Sequence, residues 1–273
     1  MEDLISLVTH PSRYLGDEIN IIKKDLSQVS LTICLAFPDV YEIGMSHLGL
    51  RILYHLLNAR TDVAAERVYA PGLDMEQVLR EKRRKLTSLE STCPVDNFDL
   101  LGFSLQYELS YTNIVNMLDL SGIPLYASQR RETFPLIIGG GPCAFNPEPL
   151  VDFFDAFVIG DGEDVMLEIS DCVIEAKREG VRKKDLLHSL SRIEGVYIPS
   201  LFDVRYEDDG TVKAIIPLNK GYQRVTKRWV RSLDDAPFIG SPLVPYKQIV
   251  HDRLNLEIAR GCTRGCRFCQ AGI

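Results

Sequence analysis

Apolar residues in this chain come in short continuous runs that alternate with stretches of helical spacing. The run Leu31-Thr32-Ile33-Cys34-Leu35-Ala36-Phe37 is what a strand buried on both faces requires, and Pro38 ends it because proline cannot extend a ladder. A loop from Asp39 to Met45 follows. Ser46 is the expected N-cap of a helix that carries Leu48, Ile52, Leu53 and Leu56 on one face. The unit then repeats. Residues 67–70 read as a strand before a helix from Asp74. Residues 98–105 read as a strand before a helix from Ser110, with Ile114, Val115, Met117 and Leu118 apolar and Gly122 and Pro124 closing it. Residues 135–138 run into Gly139-Gly140-Gly141, and residues 156–159 into Gly160-Asp161-Gly162-Glu163. Val165, Ile169, Cys172, Val173 and Ala176 then mark a helix face that Gly180 terminates.

Strand alternating with helix over residues 29–194 predicts an α/β fold with a doubly wound, mostly parallel, Rossmann-type sheet. Such sheets bind ligands beyond the carboxyl ends of their strands, which is where these glycines collect. Residues 1–28 form a lead-in with a short helix at its start. From residue 195 the strands shorten, and the stretches 202–206 and 212–216 turn at Asp208-Asp209-Gly210, so 195–217 is expected to be a small β-hairpin appendage. Residues 218–250 hold Pro237, Pro242 and Pro245 and read as a linker. A new unit opens at 251–273, where alternating Leu254, Leu256 and Ile258 predict a strand and Gly261 releases the backbone into a loop.

That loop carries three thiols in eight positions, Cys262, Cys266 and Cys269. Thiolates are soft ligands that select zinc, copper(I) or iron–sulfur clusters. A closed structural zinc site takes four ligands, and no fourth thiol or imidazole lies nearby, since His251 falls on the far side of the predicted strand. Three thiolates on a four-iron four-sulfur cluster leave one iron open for a substrate or cofactor, which accounts for an odd ligand count.

Composition narrows the function classes. The 273 residues are 45% hydrophobic and 25% charged with a formal net charge of −7, ordinary for a globular protein and opposed to general nucleic-acid binding. The basic run 80–85, broken by Glu81, is expected on the solvated side of the helix from Asp74. No apolar run approaches the roughly 20 residues that span a bilayer, and residues 1–10 lack a signal-peptide pattern, so a soluble cytoplasmic protein with no membrane partner is expected. Seven cysteines, an odd number, also suit a reducing compartment. Cys34 and Cys172 read as small core side chains, and Cys93 and Cys143 as loop residues.

The spacing of Cys262, Cys266 and Cys269, with Phe268 just before the last, resembles the Cys-x-x-x-Cys-x-x-Cys motif of the radical SAM superfamily. The resemblance implies a 4Fe-4S cluster held by these three cysteines, with S-adenosylmethionine chelated at the open iron. It implies reductive cleavage of the sulfonium to methionine and a 5′-deoxyadenosyl radical, and an electron donor such as flavodoxin or ferredoxin. It also implies that Phe268 lies against the adenine.

Asp39-x-Tyr41-x-x-Gly44 resembles the Asp-x-His-x-x-Gly turn of cobalamin-binding domains, with Tyr41 where the cobalt-ligating histidine stands. Gly139-Gly140-Gly141 and Gly160-Asp161-Gly162-Glu163 are similar to the two later turns of the cobalamin-binding domains that precede radical SAM barrels. This resemblance implies that Asp39, Tyr41, Gly44, Gly139, Gly140, Gly141, Gly160, Gly162 and Glu163 border a corrinoid or nucleotide site. Glycine lets the backbone approach such a ligand, and a helix start offers it N–H groups. A neutral phenol is a poor cobalt ligand, so histidine-ligated cobalamin is not expected. His47 reads as an ordinary first-turn helix residue, and Tyr107 and Tyr111 as packing aromatics.

Over nearly its full length, including residues 37–45, 104–113 and Cys269-Gln270-Ala271-Gly272, the chain resembles the N-terminal part of an uncharacterised bacterial radical SAM family with a cobalamin-binding-like domain before its barrel. That resemblance implies an N-terminal fragment with the first strand of an incomplete barrel, inactive alone, whose substrate and catalytic residues are unassigned. The alternative is a non-catalytic corrinoid- or nucleotide-binding module with a vestigial or zinc-binding cysteine tail.

Overall fold

A computed structural model describes residues 2–236 and 238–269. The expectations that involve Pro237 and Gln270-Ala271-Gly272 lie outside these residues. In chain order the elements are α1 (Glu2–Ile5), β1 (Leu31–Phe37), α2 (Tyr41–Gly44), α3 (Leu48–Asn58), β2 (Val63–Tyr69), α4 (Leu73–Lys82), β3 (Leu100–Ser104) and α5 (Tyr111–Leu120). They continue with β4 (Leu136–Gly140), β5 (Ala156–Val158), α6 (Glu163–Glu179), α7 (Lys183–Leu190), β6 (Val196–Tyr197), β7 (Phe202–Tyr206) and β8 (Val212–Pro217).

The main sheet has the order β2-β1-β3-β4-β5-β6. Strands β1 to β5 run parallel, as the alternation with helices requires, and β6 closes the edge antiparallel to β5. Successive side chains of a strand point to opposite faces, so the continuous apolar run of β1 divides between two cores. Leu31, Ile33, Leu35 and Phe37 pack with Leu50 and Leu57 of α3 and Ile169 of α6. Cys34 and Ala36 pack with Met75 and Leu79 of α4 and Ile114 and Met117 of α5. Between β1 and β3 the strand order reverses, which opens a crevice beyond their carboxyl ends.

Several elements differ from the sequence reading. The N-cap of α3 is His47 and not Ser46: the imidazole Nδ1 accepts a hydrogen bond from the backbone N–H of Leu50 at 3.1 Å, while the Ser46 hydroxyl turns back to donate to Glu42 O at 2.7 Å. Strand β2 begins at Val63, four residues before the expected start, because Glu66 and Arg67 break the apolar pattern yet are buried. Arg67 donates from Nε to Glu90 at 2.6 Å and from Nη2 to Glu18 at 3.0 Å, so its charge is carried inside the sheet by two carboxylates.

Residues 196–197, grouped above with the appendage, belong to the main sheet as β6; the separate two-stranded ribbon is β7 with β8 alone. The stretch read as a linker packs on the sheet instead of standing clear of it. Tyr222, Leu243 and Ile249 are buried in the α3/α6 core, and the Tyr222 hydroxyl donates to Val196 O at 2.6 Å. Among the described residues, 254–258 form no strand and pair with no neighbour, and Leu254, Leu256 and Ile258 are exposed, since a strand exists only through its ladder. Among the described residues no helix is long and apolar enough to cross a membrane.

Candidate functional site

At the carboxyl ends of β1, β3, β4 and β5 lies a cavity of about 400 Å³, on the face covered by α3 and α6. Its walls are aliphatic, with Leu35, Ile52, Leu53, Ile138, Val158 and Met166. One rim carries Ser104, Gln106 and His47. Because Nδ1 of His47 accepts the capping hydrogen bond, the neutral ring bears its proton on Nε2. Burial pulls this imidazole below its usual pKa of 6.5, while a hydrogen bond with Gln106 opposes the shift.

The opposite rim is acidic and is bound to the C-terminal segment. Glu163, the first residue of α6, accepts a hydrogen bond from the guanidinium of Arg260. Arg260 also donates to Glu257 Oε2 at 2.8 Å and lies 3.4 Å from Asp161 Oδ1. The hydrogen bonds to Glu257 and then Glu163 raise Arg260 well beyond its ordinary value against the opposing effect of burial. Asp161 is fixed in turn by the Val230 N–H, which donates to it at 2.7 Å. Glu257 and Arg260 thereby close over the crevice, and Cys262 follows Arg260 by two positions.

Of the residues expected at a cofactor site, Gly140, Gly141, Gly160, Gly162 and Glu163 line this cavity. Gly139 faces the other core, where a Cβ would stand 2.8 Å from Leu105 and 3.0 Å from Phe157; strand parity turns it away from its neighbour Gly140. Gly160, at φ +111°, makes room for residues 226–230: a Cβ there would meet Arg228 O at 2.2 Å. Gly44 is also a packing residue, since its Cβ would lie 2.2 Å from the Tyr69 ring. Asp39 accepts hydrogen bonds from the Tyr107 hydroxyl at 2.8 Å and from its neighbour Val40 N at 2.7 Å, outside the cavity lining.

Tyr41 is buried, and its hydroxyl donates to Glu18 Oε1 at 3.0 Å. Burial, followed by the Glu18 carboxylate, pushes this phenol far above its usual range. A hydroxyl so held does not fit a cobalt ligand, and it is not part of the cavity lining.

Cys262 and Cys266 are exposed, Cys269 is half-buried, and all three thiols are free. The Cys269 N–H donates to Cys266 O at 3.0 Å. Among the described residues no three His, Cys, Asp or Glu side chains converge as a metal-ligand set, so the thiols share a loop without meeting at one point. Phe268 is 93% exposed. The donor chemistry of this loop, three accessible sulfurs without a disulfide, fits an iron–sulfur cluster. Sequence reasoning passed over Glu257 and Arg260 and read His47 as an ordinary helix residue; the available signal was a carboxylate and a guanidinium three positions apart immediately before the cysteines.

The family described as "Radical SAM proteins, N-terminal" matches residues 49–199. An uncharacterized protein of Methanocaldococcus jannaschii is 27% identical over 243 residues, covering 88% of this chain and 40% of that protein, so the chain spans well under half of its relative. Among solved structures, the radical S-adenosylmethionine methyltransferase TsrM from Kitasatospora setae, with cobalamin and a four-iron four-sulfur cluster bound, matches with a TM-score of 0.40 and 16% identity over 71% of this chain and 32% of that one. The cobalamin-dependent S-adenosylmethionine radical enzyme OxsB, with aqua-cobalamin and S-adenosylmethionine bound, matches with a TM-score of 0.38 and 13% identity over 76% of this chain and 28% of that one.

Proposed function

The chain belongs to the family of radical SAM proteins, N-terminal, and from that premise we propose that it is the N-terminal part of an enzyme whose Cys262, Cys266 and Cys269 hold a 4Fe-4S cluster. Held by these three thiolates, such a cluster would supply the electron for reductive cleavage of S-adenosylmethionine to methionine and a 5′-deoxyadenosyl radical. The observation that carries this reading is the tether between Arg260 and Glu163, which sets three free thiols directly after the roof of the crevice.

This chain's own residues have three tasks in the proposal. The cysteines supply soft thiolate donors, which need a reducing, cytoplasmic setting and an electron donor such as flavodoxin or ferredoxin. Arg260, with Glu257 and Glu163, positions the loop. The sheet domain, with β6 at its edge, offers the crevice, and residues 251–273 are the start of the cluster-binding unit.

Anaerobic reconstitution of the intact protein with iron and sulfide tests the reading. About four irons and four sulfides per chain are expected, and loss of both in Cys262→Ala. Zinc at one per chain with neither iron nor sulfide would replace the proposal with the zinc-binding module. In the reconstituted protein, dithionite and S-adenosylmethionine should give 5′-deoxyadenosine, and none should form in Cys262→Ala.

A further inference from the structure

The glycines around the cavity fall into two groups that differ in what forbids a side chain. At Gly139, Gly141 and Gly160 the protein itself forbids one, because a Cβ would meet neighbouring atoms at 2.8, 2.7 and 2.2 Å. At Gly102 of β3, Gly140 of β4 and Gly162 before α6 it does not. The nearest atoms to a Cβ are Leu100 at 3.6 Å, Val158 at 3.6 Å and Leu53 at 3.5 Å, all ordinary contacts. None of the three has a positive φ. A glycine in such a place costs backbone entropy that alanine would save, and nothing in the folding of the sheet asks for that cost. All three line the cavity. Gly102 and Gly140 stand on adjacent strands, Gly102 opposite Ile138 and Gly140 opposite Ser104, so the floor is bare backbone spread over two strands and the turn beyond the third.

Above this flat floor the walls are aliphatic, which suits the faces of a planar ring. The ring's edge would meet Ser104 and the side chain of Gln106, which His47 engages in a hydrogen bond, all groups without charge. On the far rim three carboxylates, Asp161, Glu163 and Glu257, share the guanidinium of Arg260. The first turn of α6 carries Glu163 and Asp164, whose negative charge at that helix start opposes a bound anion. A phosphate would find its cation already engaged and a net negative rim.

We propose that this crevice binds a planar, uncharged heteroaromatic ring of nucleoside size, and that it excludes phosphorylated nucleotides. The site is independent of whether the cysteine loop holds a cluster, and it is tested without iron.

The full chain is titrated with riboflavin, followed by flavin fluorescence, and with adenosine, followed by calorimetry. The phosphorylated twins FMN and AMP and hydroxocobalamin are run beside them. At least one uncharged probe should bind saturably at one site, with its twin weaker by about tenfold or more. Gly140→Val, whose side chain enters the cavity from a strand position that favours valine, should weaken that probe by about tenfold with an unchanged or raised Tm. Gly102→Ala serves as the second, milder filling variant and should act in the same direction. The proposal is overturned if neither probe saturates at about 1 mM, if a twin binds as well as its parent, if hydroxocobalamin binds more tightly than both, or if both glycine variants bind like the wild type.

Discussion

The carboxylate of Glu163 and the guanidinium of Arg260, 97 positions apart in sequence, are hydrogen-bonded at the mouth of the crevice. Glu163 is almost fully buried and Arg260 is about one-quarter exposed, so water screens the pair only in part. The bond fixes where the cysteine loop begins. Charge-assisted hydrogen bonds of this kind contribute about 1.5–3 kcal/mol. Glu163→Gln should therefore release the segment, with trypsin cleavage at Arg264 and Arg267 accelerated roughly tenfold while the sheet domain stays intact. Equal cleavage rates in variant and wild type would show that the loop is held by other contacts.

Two buried arginines should respond in opposite ways to the same substitution. Arg67 is fully buried between Glu18 and Glu90, with Nη1 on Met45 Sδ at 3.0 Å and its guanidinium 5.1 Å from the Tyr54 ring centre. Arg67→Met strands two buried carboxylates and should cost about 3–5 kcal/mol in urea unfolding.

Arg51 is 6% exposed, and its Nε and Nη2 have no hydrogen-bond partner among the described residues. Burial lowers its pKa while the Tyr69 hydroxyl opposes the shift. Arg51→Met removes unsatisfied donors from α3 without leaving a counter-charge behind, and should raise stability by about 1–3 kcal/mol. A loss of stability in this variant would contradict the absence of partners.

Burial of His47 sets a pH dependence. Its folded pKa lies below the usual 6.5, so it is neutral in the fold at pH 7. As pH falls through 6.5 the unfolded chain takes up a proton that the folded chain does not, and stability is lost until the folded pKa is passed. Burial lowers His55 in the same sense. Thermal melts should therefore show Tm falling between pH 7 and pH 5. In His47→Asn, which keeps a capping side chain but does not titrate, the fall should be shallower.

Gly44 and Gly140 separate packing from lining. A methyl at Gly44 would enter the Tyr69 ring and should cost about 1–3 kcal/mol. At Gly140 the same methyl meets Val158 at an ordinary 3.6 Å, and Gly140→Ala should be neutral or stabilising by about 0.4–1 kcal/mol. Denaturant midpoints measure both, and equal costs would remove the distinction.

Much of this was readable before the fold was seen, and the gaps have physical causes. Periodicity in β1 and α6 gave their extents closely, since a seven-residue apolar run and a helical stripe are local signals. Strand β2 was clipped at its start because Glu66 and Arg67 look like surface residues until their partners are known. The cap of α3 was assigned to Ser46 on general preference, whereas the imidazole of His47 reaches Leu50 N and satisfies it.

The sequence by itself determined the alternation of strand and helix, the glycine turns at the strand ends and the spacing of the three thiols. Each of these depends on neighbours a few positions away, where covalent geometry and side-chain period leave little freedom. Tertiary structure alone decided that Gly140 faces the crevice while Gly139 faces the core, that Arg67 is buried between two carboxylates, and that Arg260 closes on Glu163. Those facts depend on strand register and on which crossovers bring distant segments together, and no local pattern of residues encodes either.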